Sequence, residues 1–291
     1  MNRVKSFLTE IWKGRTAYLF ISVPLVITCL FFFYPFVRTF FVSFTQYDGS
    51  TMTWVGIQNY TDLFADKVFV TSFTNTISFT IESLVLGVGV AMTFALMINQ
   101  VKKGKGFFRG ALFLPVVTNM VAVSFLWRLI YQRTGLINGL VRLLGGEPIS
   151  FLASPTNSMP AVVVTSVWQG FGYSLVLLLA GLESIPVEYY EAAMLDGANF
   201  FQRFWYVTLP QLRFTFLFIS ITGVSGAMMV FTQIYNMTAG GPSNATRTLM
   251  YDLFQRFIHL DLGVADAIGI LLFVFLLGFS ILNLKLSNRA D

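Results

Sequence analysis

Charge is scarce in this sequence: of 291 residues only 11% are Asp, Glu, Lys or Arg, about half the share of a soluble domain. There is one cysteine, Cys29, and one histidine, His259. A lone cysteine inside an apolar run forms no internal disulfide and says nothing about redox compartment. With one His and one Cys there is no ligand constellation for zinc, copper or iron, so no metal is expected. Nucleophilic hydrolysis has no support either, because no nucleophile motif surrounds His259, which reads as a surface histidine in an external loop. No Gly-x-x-x-x-Gly-Lys-Ser/Thr phosphate loop occurs; the basic, glycine-bearing segment 102–109 lacks both the spacing and a preceding strand. Internal repeats, low-complexity runs and composition breaks are also missing, so one membrane domain is the simplest division. After Arg3, Lys5, Lys13 and Arg15, the apolar run 17–37 lacks a clear small-residue cleavage site and is long enough to span, which argues against a removable signal peptide.

What the chain has is apolar surface: 55% hydrophobic residues, with 32 Phe, 11 Tyr and 5 Trp. A soluble protein would have to hide most of it in one core, whereas a bilayer removes the problem. A hydrocarbon layer about 30 Å thick needs about 20 helical residues. Six stretches reach or approach that length: 17–37, 75–98, 111–131, 161–182, 214–235 and 267–286. The expectation is an all-α integral membrane fold of six transmembrane helices, with a domain over 17–286 and short tails at 1–16 and 287–291. Six spans place both termini on one side. Basic residues concentrate on that side, in the N-tail, at Lys102, Lys103, Lys105 and Arg109, at Arg203 and Arg213, and in the C-tail. The positive-inside rule then puts both termini and the loop 183–213 in the cytoplasm. The net charge of +5 needs no nucleic acid, since no basic stripe interleaves with exposed aromatics.

Pro24, Pro35 and Pro115 fall in or beside spans, where neighbouring helices can satisfy the freed carbonyls around a kink. Gly87, Gly89, Ala91 and Ala95 place small residues along the second span and read as a packing face. Two external segments, 134–160 and 238–265, carry turn residues and are long enough to meet an external partner.

The loop 183–213 is too polar to span and is patterned as two short helices split by glycine. Pro186 suits a first helical turn, Glu188 and Glu191 favour the positive end of that helix, and Gly197 can adopt the left-handed conformation that stops it. Asn199 can cap a second helix with Phe200, Phe201, Phe204 and Trp205, ending before Leu209-Pro210. By periodicity alone, an amphipathic helix pair lying at the lipid interface is an equal reading.

Residue identity separates them. Glu191-Ala192-Ala193, then Gly197, Val207 and Leu209-Pro210, resemble the EAA loop of bacterial ABC importer permeases, with Val207 where that pattern usually has isoleucine. Phe113-Leu114-Pro115, Trp127 ahead of Gly135-Leu136-Ile137-Asn138, Trp168 with Gly170 to Tyr173, Ile185-Pro186, and Thr238-Ala239-Gly240-Gly241-Pro242 with Ala245-Thr246 resemble the carbohydrate branch, in its maltose- and glycerol-phosphate-type first permease. The resemblance implies a coupling helix between the fourth and fifth spans that seats on a cytoplasmic ATPase through Glu188, Glu191, Ala192, Ala193, Asp196 and Gly197. It also implies a heterodimer with a second homologous permease, two ATPase subunits that hold ATP and Mg, none of it in this chain, and an extracytoplasmic sugar-binding protein. The location implied is a bacterial inner membrane and the cargo a sugar or oligosaccharide.

Sugar hydroxyls lose water inside a bundle and must find polar partners and aromatic faces. Candidates are Asn119 and Ser124 in the third span, Trp168, Gln169 and Tyr173 in the fourth, and Gln233, Tyr235 and Asn236 in the fifth. For each the ordinary alternative is an interhelical hydrogen bond or an interfacial aromatic. Glu82 is the only acid well inside a predicted span, where an ionisable group suggests function; a salt bridge to Arg38 or Arg128 is as good a reading as contact with cargo. Two other classes fit the hydropathy: an ion-coupled secondary transporter, which would show repeats and more buried ionisable residues, and a membrane enzyme, which would show clustered catalytic groups.

Overall fold

The computed structural model describes residues 15–288. They divide into two compact units, one drawn from Met1–Asp62 with Arg256–Ile270 and the other from Leu63–Gln255 with Leu271–Asp291.

The first unit opens with α1 (Arg15–Thr28), a π turn (Cys29–Phe33) and α2 (Tyr34–Val42), a single apolar rod over Tyr18–Val42. The π turn stands immediately ahead of Pro35. A prolyl ring lacks the N–H and crowds the carbonyl one turn back, and a widened turn accommodates both defects without ending the helix. The span thus continues past residue 37, the limit expected from the sequence. A short antiparallel hairpin follows, β1 (Thr45–Tyr47) with β2 (Met52–Trp54), Thr45 facing Trp54. Its tip is organised by the Asp48 carboxylate, which accepts the backbone N–H groups of Ser50 and Thr51 at 2.8 and 2.7 Å and lies well below the usual carboxylate range because of those bonds. Helix α3 (Gln58–Ala65) docks on this segment through Asn59, whose Nδ2 donates to the carbonyls of Ser43 and Thr45 at 2.8 and 2.9 Å. A Cβ at Gly263 would run into the Thr45 carbonyl, so only glycine permits that approach. Hairpin and α3 have no counterpart among the predicted elements; three-residue strands are too short for alternation to register.

The second unit is built on α4 (Lys67–Asn99), to which α8 (Pro155–Glu183) and α12 (Arg213–Met228) pack. Asp66 caps α4 by accepting from Val68 N at 2.8 Å. One core cluster joins Ala91, Ala95 and Ile98 to Leu175, Leu178 and Ile219; a second gathers Phe79, Tyr131, Val162, Val163 and Ile234. Ala91 and Ala95 are fully buried, as close packing along the second span requires. Gly87 and Gly89 differ from that expectation: a Cβ at either would meet nothing within 4 Å. The close approaches fall at Gly172, against the Leu112 carbonyl, and at Gly223, against Leu84.

Two predicted spans are not single straight helices. The third is α5 (Lys105–Phe113), a 3-10 turn (Leu114–Val117) and α6 (Met120–Ile130), bent by 95°. Pro115 sits in the turn, and Thr118 and Asn119 are extended, with ψ of 138° and 126°, so no helical ladder crosses them. The fifth ends at Met228, and Gln233, Tyr235 and Asn236 lie on a separate short helix, α13 (Thr232–Met237), beyond a Phe231 at φ −138°, ψ −56°. Between these lie α7 (Leu136–Leu143) and the loop helices α9 (Val187–Leu195), α10 (Phe200–Arg203) and α11 (Leu209–Gln211); α14 (Leu249–Ile258) and α15 (Leu262–Asn288) complete the order. Among the described residues four helices are long and apolar enough to cross a membrane, and up to six do so if each of two bent pairs is one span.

Candidate functional site

The polar loop is held by local chemistry. Pro186 stands at the N-cap of α9 and Glu188 in its first turn. At the other end Gly197 has φ +78°, its N–H reaching the Met194 carbonyl at 3.0 Å while Ala198 N reaches that of Ala193 at 2.9 Å; this pair of bonds closes a Schellman turn. Asn199 and Gln202 then form a reciprocal capping box, at 2.8 and 2.9 Å, that starts α10. The two short helices are tied by Tyr190 Oη and Thr208 Oγ1 at 3.1 Å. Helix α10 does not end before Leu209-Pro210: a π turn (Phe204–Thr208) carries it into α11, the same device that precedes Pro35. The face presented is bare, with Glu188, Glu191, Ala192, Asp196 and Gly197 exposed and Ala193 half-buried. Phe201, one of the aromatics expected on the second loop helix, is 70% exposed, and Leu195, which sequence reasoning passed over, is 90% exposed; this apolar surface suits a protein partner.

Within the second unit a cavity of about 300 Å³ lies between α4, α8 and α12. Gln169, Tyr173 and Gln233 line it together with Ser83, Ser166 and Thr222. Gln233 Nε2 donates to Ser166 Oγ at 3.0 Å, and Gln169 Nε2 to the Val116 carbonyl at 3.3 Å. Ser83 Oγ is buried with no hydrogen-bond partner among the described residues. None of the residues lining this space is an Asp, Glu, Lys, Arg or His. Ser83, Ser166 and Thr222 are additions to the sequence reading; Ser166, Gln169 and Tyr173 recur at helical spacing on one face of α8, a signal that the sequence carries.

The remaining candidates go elsewhere. Asn119 caps α6, accepting from Val121 N at 2.8 Å, and Ser124 bonds back to the Met120 carbonyl at 2.7 Å. Asn236 bonds back to the Thr232 carbonyl at 2.7 Å. Tyr235 stacks on Phe231 at 5.4 Å and meets Phe254 edge-on. Trp168 meets Trp127 edge-on at 5.7 Å and lines a separate apolar cavity of about 1050 Å³ with Leu86, Phe94 and Leu114. Glu82 joins none of the hydrogen bonds or ion pairs of the described residues, and Arg128, one expected partner, reaches the Asn236 carbonyl instead, at 3.5 Å.

A helical bundle with bent membrane-length segments, a polar internal cavity and an exposed loop of carboxylates and apolar side chains has the layout of a membrane permease. The sequence matches the model of binding-protein-dependent transport system inner membrane components over residues 83–291, and the chain belongs to that family, the permeases of ATP-binding-cassette importers. It is 34% identical over 280 residues to the trehalose/maltose transport system permease protein MalF of Thermococcus litoralis, covering 95% of each chain. Over 291 residues it is 32% identical to the multiple sugar-binding transport system permease protein MsmF of Streptococcus mutans, covering 99% of each. Its fold matches a chain of a bacterial ABC transporter involved in the import of alginate, with TM-score 0.85 and 22% identity over 98% of this chain and 99% of that one. These relatives are transport permeases, not enzymes, and the ion-coupled carrier reading has no support among them.

Proposed function

We propose that the chain is one permease of a heteromeric importer that moves a neutral sugar or oligosaccharide, delivered by an external binding protein, into the cytoplasm. The observation that carries the cargo class is the cavity lining: hydroxyls, amides and one phenol, with no ionisable acid or base other than that phenol. Such a set matches the hydroxyls of a neutral carbohydrate and offers nothing to balance a phosphate or a uronate. The relatives named for trehalose, maltose and multiple sugars agree with this choice.

The drive comes through the loop 183–213. Basic residues flanking the spans support a cytoplasmic side for this loop and both termini by the positive-inside rule. There α9 seats in a groove on one of two ATPase subunits, which hold ATP and Mg; Glu188, Glu191 and Asp196 face the partner, while Ala192, Ala193 and Gly197 let it approach. Closure of the ATPase pair moves α9 as a rigid lever and alternates access to the cavity. A second, homologous permease completes the path.

Co-purification from the native membrane in mild detergent tests this reading. Stoichiometric recovery of an ATPase and a second permease, with ATP-dependent uptake of a neutral sugar, is the expected result; a chain that purifies alone and takes up solute on an ion gradient refutes it.

A further inference from the structure

Helix α4 carries a polar face that is largely exposed. Its residues fall into separate faces: Phe79, Ala91 and Ala95 enter the core clusters, and Ser83 and Gly87 line the cavity. Ser78, Glu82, Gly89 and Thr93, spaced by four, seven and four residues, share another face. Ser78, Gly89 and Thr93 are exposed and Glu82 is half-buried; a Cβ at Gly89 would meet nothing within 4 Å. Glu82 stands near the middle of a helix about 50 Å long, and no hydrogen bond or ion pair of the described residues includes it.

An unsatisfied carboxyl at membrane depth is costly against lipid in either protonation state. The cavity does not relieve it, because the lining residues of α4 lie on a different face. A second copy meeting on this face about a two-fold axis would set the two Glu82 carboxyls against each other, where both cannot ionise and the pair must share a proton, whereas a donor from an unlike chain satisfies the carboxyl outright. Small and hydroxyl residues on the same face let a helix approach closely.

Resting on the heteromeric reading above, we infer that the Ser78–Glu82–Gly89–Thr93 face of α4 seats a membrane-spanning helix of the second, non-identical permease, which presents a lysine, arginine or other hydrogen-bond donor to Glu82. Pairing through this acid makes the association selective for the unlike chain.

The test uses the whole complex from its native membrane, with a photoreactive benzoylphenylalanine placed at Ser78 or at Thr93 and adducts identified by mass spectrometry. Both positions should cross-link to a membrane-spanning peptide of the second permease. Glu82→Leu, which remains compatible with membrane insertion, should weaken recovery of that permease roughly 3- to 20-fold, and Glu82→Gln, which keeps a hydrogen-bonding group, should do so less. Adducts to lipid or to a second copy, in preparations where the second permease still co-purifies and Glu82→Leu leaves its recovery unchanged, overturn this face while leaving the heteromer standing. A Glu82→Gln complex of full recovery whose KM for the sugar shifts assigns Glu82 to the cargo path and overturns it too. Failure to recover any second permease removes the heteromer and this face together.

Discussion

Ser83 is the residue that most directly links packing to cargo, because its hydroxyl is buried, lines the cavity and has no hydrogen-bond partner among the described residues. Ser83→Ala removes one hydroxyl from the cavity wall without touching the packing of α4, so thermal stability in detergent should be unchanged. If cargo satisfies that hydroxyl, the same change should raise the KM for uptake about 2- to 10-fold; an unmoved KM counts against the cavity as the path. Glu191 answers the corresponding question at the loop, where it is exposed on α9. Glu191→Ala should cut ATPase recovery in a pull-down about tenfold, or about 1.4 kcal/mol, while membrane insertion is intact; unchanged recovery and uptake would remove it from the docking surface. At this scale the sequence was informative about types more than places. Gln169, Tyr173 and Gln233 face one space, whereas Asn119, Ser124 and Asn236 bond to their own helices. A polar side chain in a span looks the same in sequence whether it caps a turn or faces a cavity.

Among elements, the loop helices depend on two turns that the sequence announces. The Schellman turn needs a left-handed residue, and Gly197 at φ +78° supplies it with open space around its Cα. Gly197→Val therefore introduces backbone strain of about 1–2 kcal/mol without a clash, and should tilt α9 against its partner: ATP hydrolysis persists while uptake falls severalfold. Normal coupled uptake in vesicles would show that this turn is not the lever's fulcrum. Asn199→Ala removes one half of the capping box and should cost about 0.5–2 kcal/mol of local stability, visible as faster amide exchange over residues 200–208. Glycine and Asx signals made these turns legible because each has one local cause. The broken third span was not, since Pro115 is equally compatible with a kink or a stop, and Asn119, read as a cargo candidate, is the extended N-cap of α6. The hairpin at Thr45–Trp54 escaped because its strands are three residues long.

In the molecule as a whole, apolar length and positive charge bias separate what lies in the bilayer from what lies beside it, and both are properties of long segments that sequence displays well. The long helices Lys67–Asn99, Pro155–Glu183 and Leu262–Asn288 each contain the stretch expected and extend beyond it, because helical backbone continues past the edge of the hydrocarbon wherever neighbours or caps support it. The family, the helical membrane fold and the exposed loop fit one another, and on the proposed reading that loop is the surface through which an ATPase's work enters. The most direct measurement is sugar uptake by vesicles reconstituted with the purified complex, the external binding protein and ATP, comparing wild type with Glu191→Ala. Uptake of a neutral sugar that requires ATP and the binding protein, and that falls with the weakened loop, is the predicted result. Uptake by this chain alone, driven by a proton or sodium gradient and indifferent to Glu191, would contradict it.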